Sequence, residues 1–112
     1  MLKVITLLVR KPGLSREEFL EHWRKVHAPI AHAVQEVRRY HLNIVTEEPR
    51  SFDMPAGQLK GSVDGIAELW FESRADFAPE IVSEERRRWR EDNAHFIGDM
   101  HSFIVEEDVV IP

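Results

Sequence analysis

The sequence contains no cysteine, and this absence excludes several kinds of chemistry. The chain cannot form a disulfide, bind a metal through thiolates or use a thiol as a nucleophile. It also lacks an apolar run long enough to span a membrane, a glycine-rich loop that would bind phosphate and a dinucleotide-binding motif. We therefore expect no membrane association, no nucleotide cofactor and no metal site.

The chain is also poor in positive charge, because its 15 lysines and arginines face 20 aspartates and glutamates. The densest basic stretch, residues 84–91, mixes arginines with glutamates, which is typical of a solvated helix face. Since a nucleic-acid-binding surface is basic, we expect no nucleic acid partner. The apolar stretch at residues 1–9 is short and lacks the flanks of a secretion leader, so we expect a cytoplasmic location.

The hydrophobic pattern predicts four strands and two helical regions within a single domain, residues 1–112. We expect the strands at 2–9, 39–45, 65–71 and 101–111. The order β-α-β-β-α-β predicts an α+β domain with a ferredoxin-like, antiparallel four-stranded sheet and both helices on one face. Because the strands are apolar on both faces, the second face needs a cover. A homodimer packed sheet against sheet is the simplest cover.

The first helical region has a clear start, since Ser15 is a good N-cap and Glu18 completes a capping box. An apolar stripe at helical spacing follows, made of Phe19, Trp23, Val26, Ile30 and Val34. Pro29 removes a backbone donor and crowds the carbonyl of Lys25. We therefore expect a kink or a break near residues 27–28.

The second helical region is less regular. We expect it to begin after Ser73, to be interrupted by Pro79, to restart at Ser83 and to be stopped by Gly98. Between the second and third strands lies a long polar segment, residues 46–64. A loop of that length in a small domain is either functional or a plain surface excursion.

His27 is the most informative candidate for chemistry. It lies four residues after Trp23, on the same predicted helix face and just before the proline irregularity. An imidazole there can act as an acid or a base near neutral pH. The alternative is a partly buried histidine that donates to a carbonyl freed by Pro29. Both His22 and His32 are five residues from His27, a poor spacing for sharing one helical face.

The pattern Phe19-x-x-x-Trp23-Arg24-x-x-His27-Ala28-Pro29 resembles that of the EthD-type proteins, which belong to the dimeric α/β-barrel superfamily. A second similar segment runs from residue 65 to residue 71, and a third includes Trp89 and residues 92–98. The chain also resembles the methylmuconolactone methylisomerases, which are cofactor-free members of that family. The resemblance implies a ferredoxin-like unit that pairs as a homodimer, with a pocket between helix and sheet.

The resemblance also implies a range of functions, since such proteins include lactone isomerases, cofactor-free monooxygenases, decarboxylases and an accessory protein of ether degradation. We expect an enzyme without a cofactor, acting on a small cyclic or aromatic-derived molecule. His27 would move a proton, assisted by Tyr40 and Glu68, between apolar walls that include Trp23, Trp70 and Phe103. The competing expectation is a binding or accessory protein that uses the same pocket without chemistry.

Two of these assignments rest on open alternatives. Tyr40 could offer its phenol to an anionic intermediate, or it could simply fill the core. Glu68 interrupts an apolar strand, and burial there would raise its pKa toward that of a general acid. If its sheet face is instead open, Glu68 is only a solvated residue. Trp70 shares that face, where it would either wall the pocket or pack in the core.

Overall fold

The computed structural model describes residues 1–49, 62–80 and 83–112. Most of the long segment 46–64, for which we expected a functional or surface loop, lies outside these residues. The strands are β1 (Leu2–Arg10), β2 (Arg39–Ile44), β3 (Gly65–Phe71) and β4 (Ile97–Val105). They form one antiparallel sheet in the order β2-β3-β1-β4, which confirms the predicted ferredoxin-like topology.

The first helical region is continuous but changes its geometry along its length. It consists of α1 (Arg16–His22), a π-helical turn (Trp23–His27), α2 (Ala28–Ile30) and a 3₁₀ turn (Ala31–Ala33). At its start, the Ser15 hydroxyl accepts from the Glu18 amide and the Glu18 carboxylate accepts from the Ser15 amide. The capping box is therefore present as predicted.

The irregularity expected near Pro29 is the π-helical turn, which ends two residues before the proline. The amide of Ala28 donates to the carbonyl of Trp23, five residues back, and the backbone stays right-handed through Ala28. The expected irregularity is thus located correctly, but it is a widened turn and not a break. The extra residue in the turn changes which side chains face the core. Val26, predicted on the buried stripe, is 46% exposed, whereas His27 is 5% exposed.

The second helical region consists of a 3₁₀ turn (Arg74–Phe77), α3 (Glu84–Asp92) and a second 3₁₀ turn (Asn93–His95). Ser83 caps α3 as predicted. Gly98, expected to stop the helix, lies instead within β4, where a Cβ would sit 2.8 Å from the carbonyl oxygen of Arg10. The prediction for the last strand was also wrong at both ends. The apolar side chains Val109, Val110 and Ile111 lie beyond β4 and are exposed.

The two faces of the sheet differ in composition. The covered face, which lies under the helices, carries Val4, Thr6, Leu8, Ala67, Leu69 and Phe71. Phe19, Trp23 and Phe96 pack onto it as fully buried rings. The open face carries Lys3, Ile5, Leu7, Arg39, His41, Asn43, Ile66, Glu68, Trp70, His101 and Phe103.

The expectation that this second face is apolar holds for only half of it. Apolar side chains of the open face concentrate on β1 and β4, with Ile5 paired to Phe103. The β2 edge is polar, since Arg39, His41 and Asn43 point there and are exposed. Any partner that covers an apolar surface would therefore meet it on the β4 side.

Candidate functional site

A cavity of about 350 Å³ lies between the covered face of the sheet and the helices. Its floor comes from β1, β3 and β4, and its walls come from the π-helical turn, β2 and α3. Most of the lining is aliphatic or aromatic, and the volume suits one small organic molecule. The polar side chains that reach the cavity are Thr6, His27, Tyr40, Arg74, Arg86, Arg90, Asn93 and Ser102.

His27 reaches the cavity from the end of the π-helical turn. Its Nδ1 atom lies 2.8 Å from Oδ2 of Asp92, the last residue of α3. The imidazole packs at 4.8 Å from the Phe96 ring and stacks at 5.9 Å on the Trp89 ring. These contacts fix the plane of the ring, while Nε2 makes no hydrogen bond to any residue that the structure describes.

The protonation state of this pair follows from its surroundings. Burial acts to raise the pKa of Asp92, but hydrogen bonds from His22 and His27 outweigh it and hold that pKa below its ordinary value. An ionised carboxylate can only accept, so the proton between the two groups belongs to Nδ1 of His27. Burial lowers the pKa of His27, although Asp92 opposes that effect. Near neutral pH, His27 is therefore an uncharged imidazole with an acceptor lone pair on Nε2.

A second histidine contacts the same carboxylate. The Nε2 atom of His22 lies 2.9 Å from Oδ2 and 3.1 Å from Oδ1 of Asp92. The expectation that a five-residue spacing keeps His22 and His27 apart is wrong here, because the π-helical turn between them has more residues per turn than an α-helix. Asp92 and His22 were both missed as site residues. The proline after His27 was a sequence signal for the irregular turn that brings His22 near His27, but no local signal pointed to Asp92.

Tyr40 faces the cavity from β2. Its hydroxyl oxygen accepts a hydrogen bond of 3.0 Å from Nε1 of Trp23. Burial raises the pKa of Tyr40 to about 12, so the phenol keeps its proton at neutral pH. Because Trp23 occupies the oxygen as a donor, the phenolic hydrogen is available for a bound molecule. Gly65 makes room for this arrangement, since a Cβ there would overlap the Trp23 ring.

Arginines line one side of the cavity. The side chain of Arg86 is 11% exposed. Its Nη1 atom donates to the carbonyl oxygen of Asp76 at 2.7 Å and lies 3.5 Å from Oε1 of Glu36. Arg90 follows one turn later on α3, and Arg74 reaches the cavity from the 3₁₀ turn that precedes α3. No aspartate or glutamate lines the cavity within the described part of the chain.

The prediction that residues 84–91 form only a solvated face is therefore wrong for Arg86, which is half-buried, whereas Arg90 is exposed as predicted although it also borders the cavity. Arg86 and Arg90 line the cavity. Arg87 behaves as predicted, because it pairs on the surface with Glu84 and Glu91.

The structure does not bring the other predicted residues to this cavity. Glu68, Trp70 and Phe103 lie on the open face of the sheet, one position out of phase with the cavity floor. Glu68 forms a 2.9 Å ion pair with Lys3 and accepts from Asn43. These bonds hold the pKa of Glu68 below its ordinary value, the reverse of the rise expected for a general acid. Trp70 lies beneath two cations, Lys3 and Arg39.

Within residues 1–49, 62–80 and 83–112, no three histidine, aspartate or glutamate side chains are grouped so that they could hold a metal ion. In the same residues, the helices are too short and too polar to cross a membrane.

A family model describing the EthD domain matches residues 11–99, which include the whole first helical region, β2, β3 and α3. The chain belongs to the EthD family. Membership confirms the resemblance drawn from the helix-one motif. A solved EthD family protein of Bacillus halodurans has the same fold, with a TM-score of 0.72, 17% sequence identity, and coverage of 96% of this chain and 100% of that one.

Two further relatives extend the comparison. A 4-carboxymethyl-4-methylbutenolide mutase of Pseudomonas reinekei is 28% identical over 107 residues, which is 96% of this chain and 98% of the mutase. A dimeric protein of unknown function from Bacteroides fragilis, described as having a ferredoxin-like fold, superposes with a TM-score of 0.62 at 10% identity. That match covers 95% of each chain. This EthD chain is therefore similar over nearly its full length to an isomerase and to a dimeric fold.

Proposed function

We propose that the protein is a cofactor-independent isomerase of a small cyclic carboxylate, with His27 as the group that moves a proton. One observation carries this proposal. His27 is a buried, uncharged imidazole at the wall of an apolar cavity, oriented by Asp92 through Nδ1 and with Nε2 unpaired among the described residues. That combination is what a general base requires.

The proposed reaction has two proton transfers. Nε2 of His27 removes a proton from the carbon of the substrate's carboxymethyl group, a carbon–carbon double bond forms, and the lactone C–O bond breaks so that its ring oxygen leaves as a carboxylate oxygen. The hydroxyl of Tyr40 donates a hydrogen bond to that oxygen as its negative charge develops. The other carboxylate then adds to the neighbouring carbon of the opened chain to close a new lactone, and the imidazolium of His27, stabilised by Asp92, returns the proton to a different carbon. No oxidant or reductant enters this sequence.

The arginines support an anionic substrate. Arg74, Arg86 and Arg90 give one side of the cavity positive charge in a chain whose net charge is −5. A guanidinium binds a carboxylate with paired hydrogen bonds. The name of the Pseudomonas reinekei relative describes a butenolide ring with a carboxymethyl group. A ring of that size would place its carboxylate at the arginines and its ring against the apolar walls.

A non-catalytic binding protein is the second candidate, and the same arginines favour it. A cationic side above an apolar cavity can hold a cyclic carboxylate without any proton transfer. In that case His27 would serve only to close the wall of the cavity, with Asp92 satisfying its buried nitrogen.

We also propose that the protein is a homodimer. Solved relatives from Bacteroides fragilis and Thermobifida fusca are described as dimeric. On the open face, Phe103 of β4 is 43% exposed, and it adjoins the half-buried apolar side chains Ile5 and Leu7 of β1. Pairing through the β4 half of the sheet would cover them. Sedimentation equilibrium should give twice the monomer mass, and a monomer at micromolar concentration would contradict this assignment.

The experiment that tests the function uses 4-carboxymethyl-4-methylbutenolide and a short series of related lactone acetates, followed by proton NMR. We expect the wild type to isomerise at least one of them. We expect His27→Ala to lower turnover by about 10²–10⁴-fold, the usual contribution of a positioned acid or base. Binding without turnover by the wild type would favour the second candidate. Full turnover by His27→Ala would reject His27 as the proton carrier.

A further inference from the structure

Asp92 serves two imidazoles with one carboxylate. Oδ2 lies 2.8 Å from Nδ1 of His27 and 2.9 Å from Nε2 of His22, and Oδ1 lies 3.1 Å from the same His22 atom. The two histidines differ in exposure, because the side chain of His27 is 6% exposed and that of His22 is 24% exposed. A buried imidazole in the cavity is thus connected through one carboxylate to an imidazole that solvent reaches.

The first helical region, α3 and the ring of Phe96 together position the three groups of this connection. His22 ends α1 and His27 ends the π-helical turn, so the widened turn sets their separation. Asp92 comes from the end of α3, on a different helical region. Phe96 packs against both rings, with centroid distances of 4.9 Å to His22 and 4.8 Å to His27. Phe96 thus packs against both imidazoles on the side where they meet Asp92.

We propose that His22 is a positioning residue whose charge, acting through Asp92, controls how readily His27 takes up a proton. The inference rests on the proposed function, in which His27 is the proton carrier. The basicity of a group inside the cavity would then depend on the charge of a group outside it.

A charge on His22 shifts the basicity of His27 in a definite direction. When His22 is neutral, Asp92 presents its full negative charge to His27 and stabilises the imidazolium form. When His22 is protonated, its charge offsets that of Asp92 and repels a second positive charge nearby. The positive charge of His22 therefore adds to the lowering of the His27 pKa, which burial dominates. Because only the Asp92 carboxylate separates the two imidazoles and both are largely buried, salt screens the interaction between them little.

Other charged groups surround the pair without contacting Asp92. The His95 ring lies 6.0 Å from the His22 ring on the turn after α3. The cavity that His27 faces is also lined by three arginines, Arg74, Arg86 and Arg90, of which Arg86 is engaged with Glu36 and the Asp76 carbonyl. The Tyr40 phenol stays neutral over the relevant range. Their contributions are the same in wild type and in His22 variants, so a comparison of the two isolates the effect of His22.

The test is a pH titration of the histidine ring nitrogens by NMR in the intact protein, which requires no substrate. His22→Gln keeps an uncharged N–H donor near Asp92, and His22→Phe keeps the ring on Phe96 without a donor. In both variants we expect the His27 titration midpoint to move to higher pH. In the wild type, we expect the neutral imidazole of His27 to carry its proton on Nδ1. His95→Gln, which removes the neighbouring histidine that does not contact Asp92, should leave the midpoint in place.

The two proposals can fail separately. A His27 midpoint that is the same in wild type, His22→Gln and His22→Phe would overturn the role of His22, whatever the turnover measurements show. A neutral His27 protonated on Nε2 in the wild type would overturn it as well. A shifted midpoint without turnover of any lactone acetate would support the coupling and reject the proposed reaction. Where turnover is found, the acid limb of kcat/KM should move in the same direction as the NMR midpoint.

Discussion

The two faces of one sheet treat polar side chains in opposite ways. On the open face, Lys3 and Asn43 both bond to the carboxylate of Glu68, so these groups satisfy one another locally. On the covered side, two of the polar groups that reach the cavity are only partly engaged. Nδ1 of His27 is held by Asp92 and the hydroxyl of Tyr40 by Trp23, which leaves one hydrogen-bonding position on each for a bound molecule.

This difference indicates which polar residue in an apolar segment is a good functional candidate. Glu68 interrupts a hydrophobic strand, but Lys3 on the neighbouring strand neutralises it. Tyr40 and His41 are adjacent on β2 and point to opposite faces, yet of the two only Tyr40 meets the cavity. A functional group is thus recognised by a partner that fixes it and a position left open, which are properties of tertiary packing.

Substitutions of these two adjacent residues should differ most in their effect on turnover. Tyr40→Phe removes the only part of Tyr40 that would stabilise a developing negative charge. We expect it to lower turnover of the lactone substrate by about 10²–10³-fold, the range for removal of one such donor. His41→Phe, the matched change on the open face, should leave turnover close to that of the wild type. Steady-state kinetics on both variants make the comparison.

Loss of the fold should not account for that loss of turnover, because phenylalanine fills the same space and the buried Trp23 N–H left without its acceptor costs about 1–3 kcal/mol. Urea unfolding of Tyr40→Phe provides the check. If Tyr40→Phe retained full turnover, or if His41→Phe lost as much, the distinction between the two faces would not describe function.

Much of the fold could be predicted because it is recorded in local patterns. The bounds of β3, the capping box at Ser15 and the β-α-β-β-α-β order all follow from periodicity and turn residues. Within the candidate site, the same patterns pointed to three residues that line the cavity, His27, Tyr40 and Trp23.

The remainder depended on phase and on contacts distant in sequence. A prediction of strand alternation gives two faces but not which one the helices cover, so Glu68, Trp70 and Phe103 were assigned to the wrong one. The π-helical turn shifts the helix by one residue, which exposes Val26 and buries His27. Asp92 is 65 residues from its partner His27, and no local pattern connects them.

The next effect concerns acid stability and arises on the covered side. The pKa of His27 lies below its ordinary value of 6.5 because the residue is buried, so the unfolded chain binds that proton first as the pH falls. The contribution of His27 to the free energy of unfolding is therefore fully present above pH 6.5. It declines as the pH falls below that value, until the folded state also takes up the proton. Each unit between the two pKa values contributes about 1.4 kcal/mol.

Urea unfolding of wild type and His27→Gln across this range measures the effect. Glutamine does not titrate, so the variant should lack the decline that begins near 6.5. The lowered pKa of Asp92 adds a loss of the same sign, but only as the pH falls through the region near and below its ordinary value of 3.8, in a separate window. An identical pH profile for wild type and variant would show that His27 is not held in its neutral form.

The smallest expected effect belongs to the open face. Glu68→Gln removes the charge that pairs with Lys3, whose second partner, Glu107, remains at 2.8 Å. A partly exposed ion pair contributes only about 0–1 kcal/mol, so unfolding should change little. Turnover should also stay near the wild-type level, because Glu68 has no contact with the cavity. A large loss of turnover in Glu68→Gln, with the fold intact, would return Glu68 to the site and remove the functional difference between the two faces.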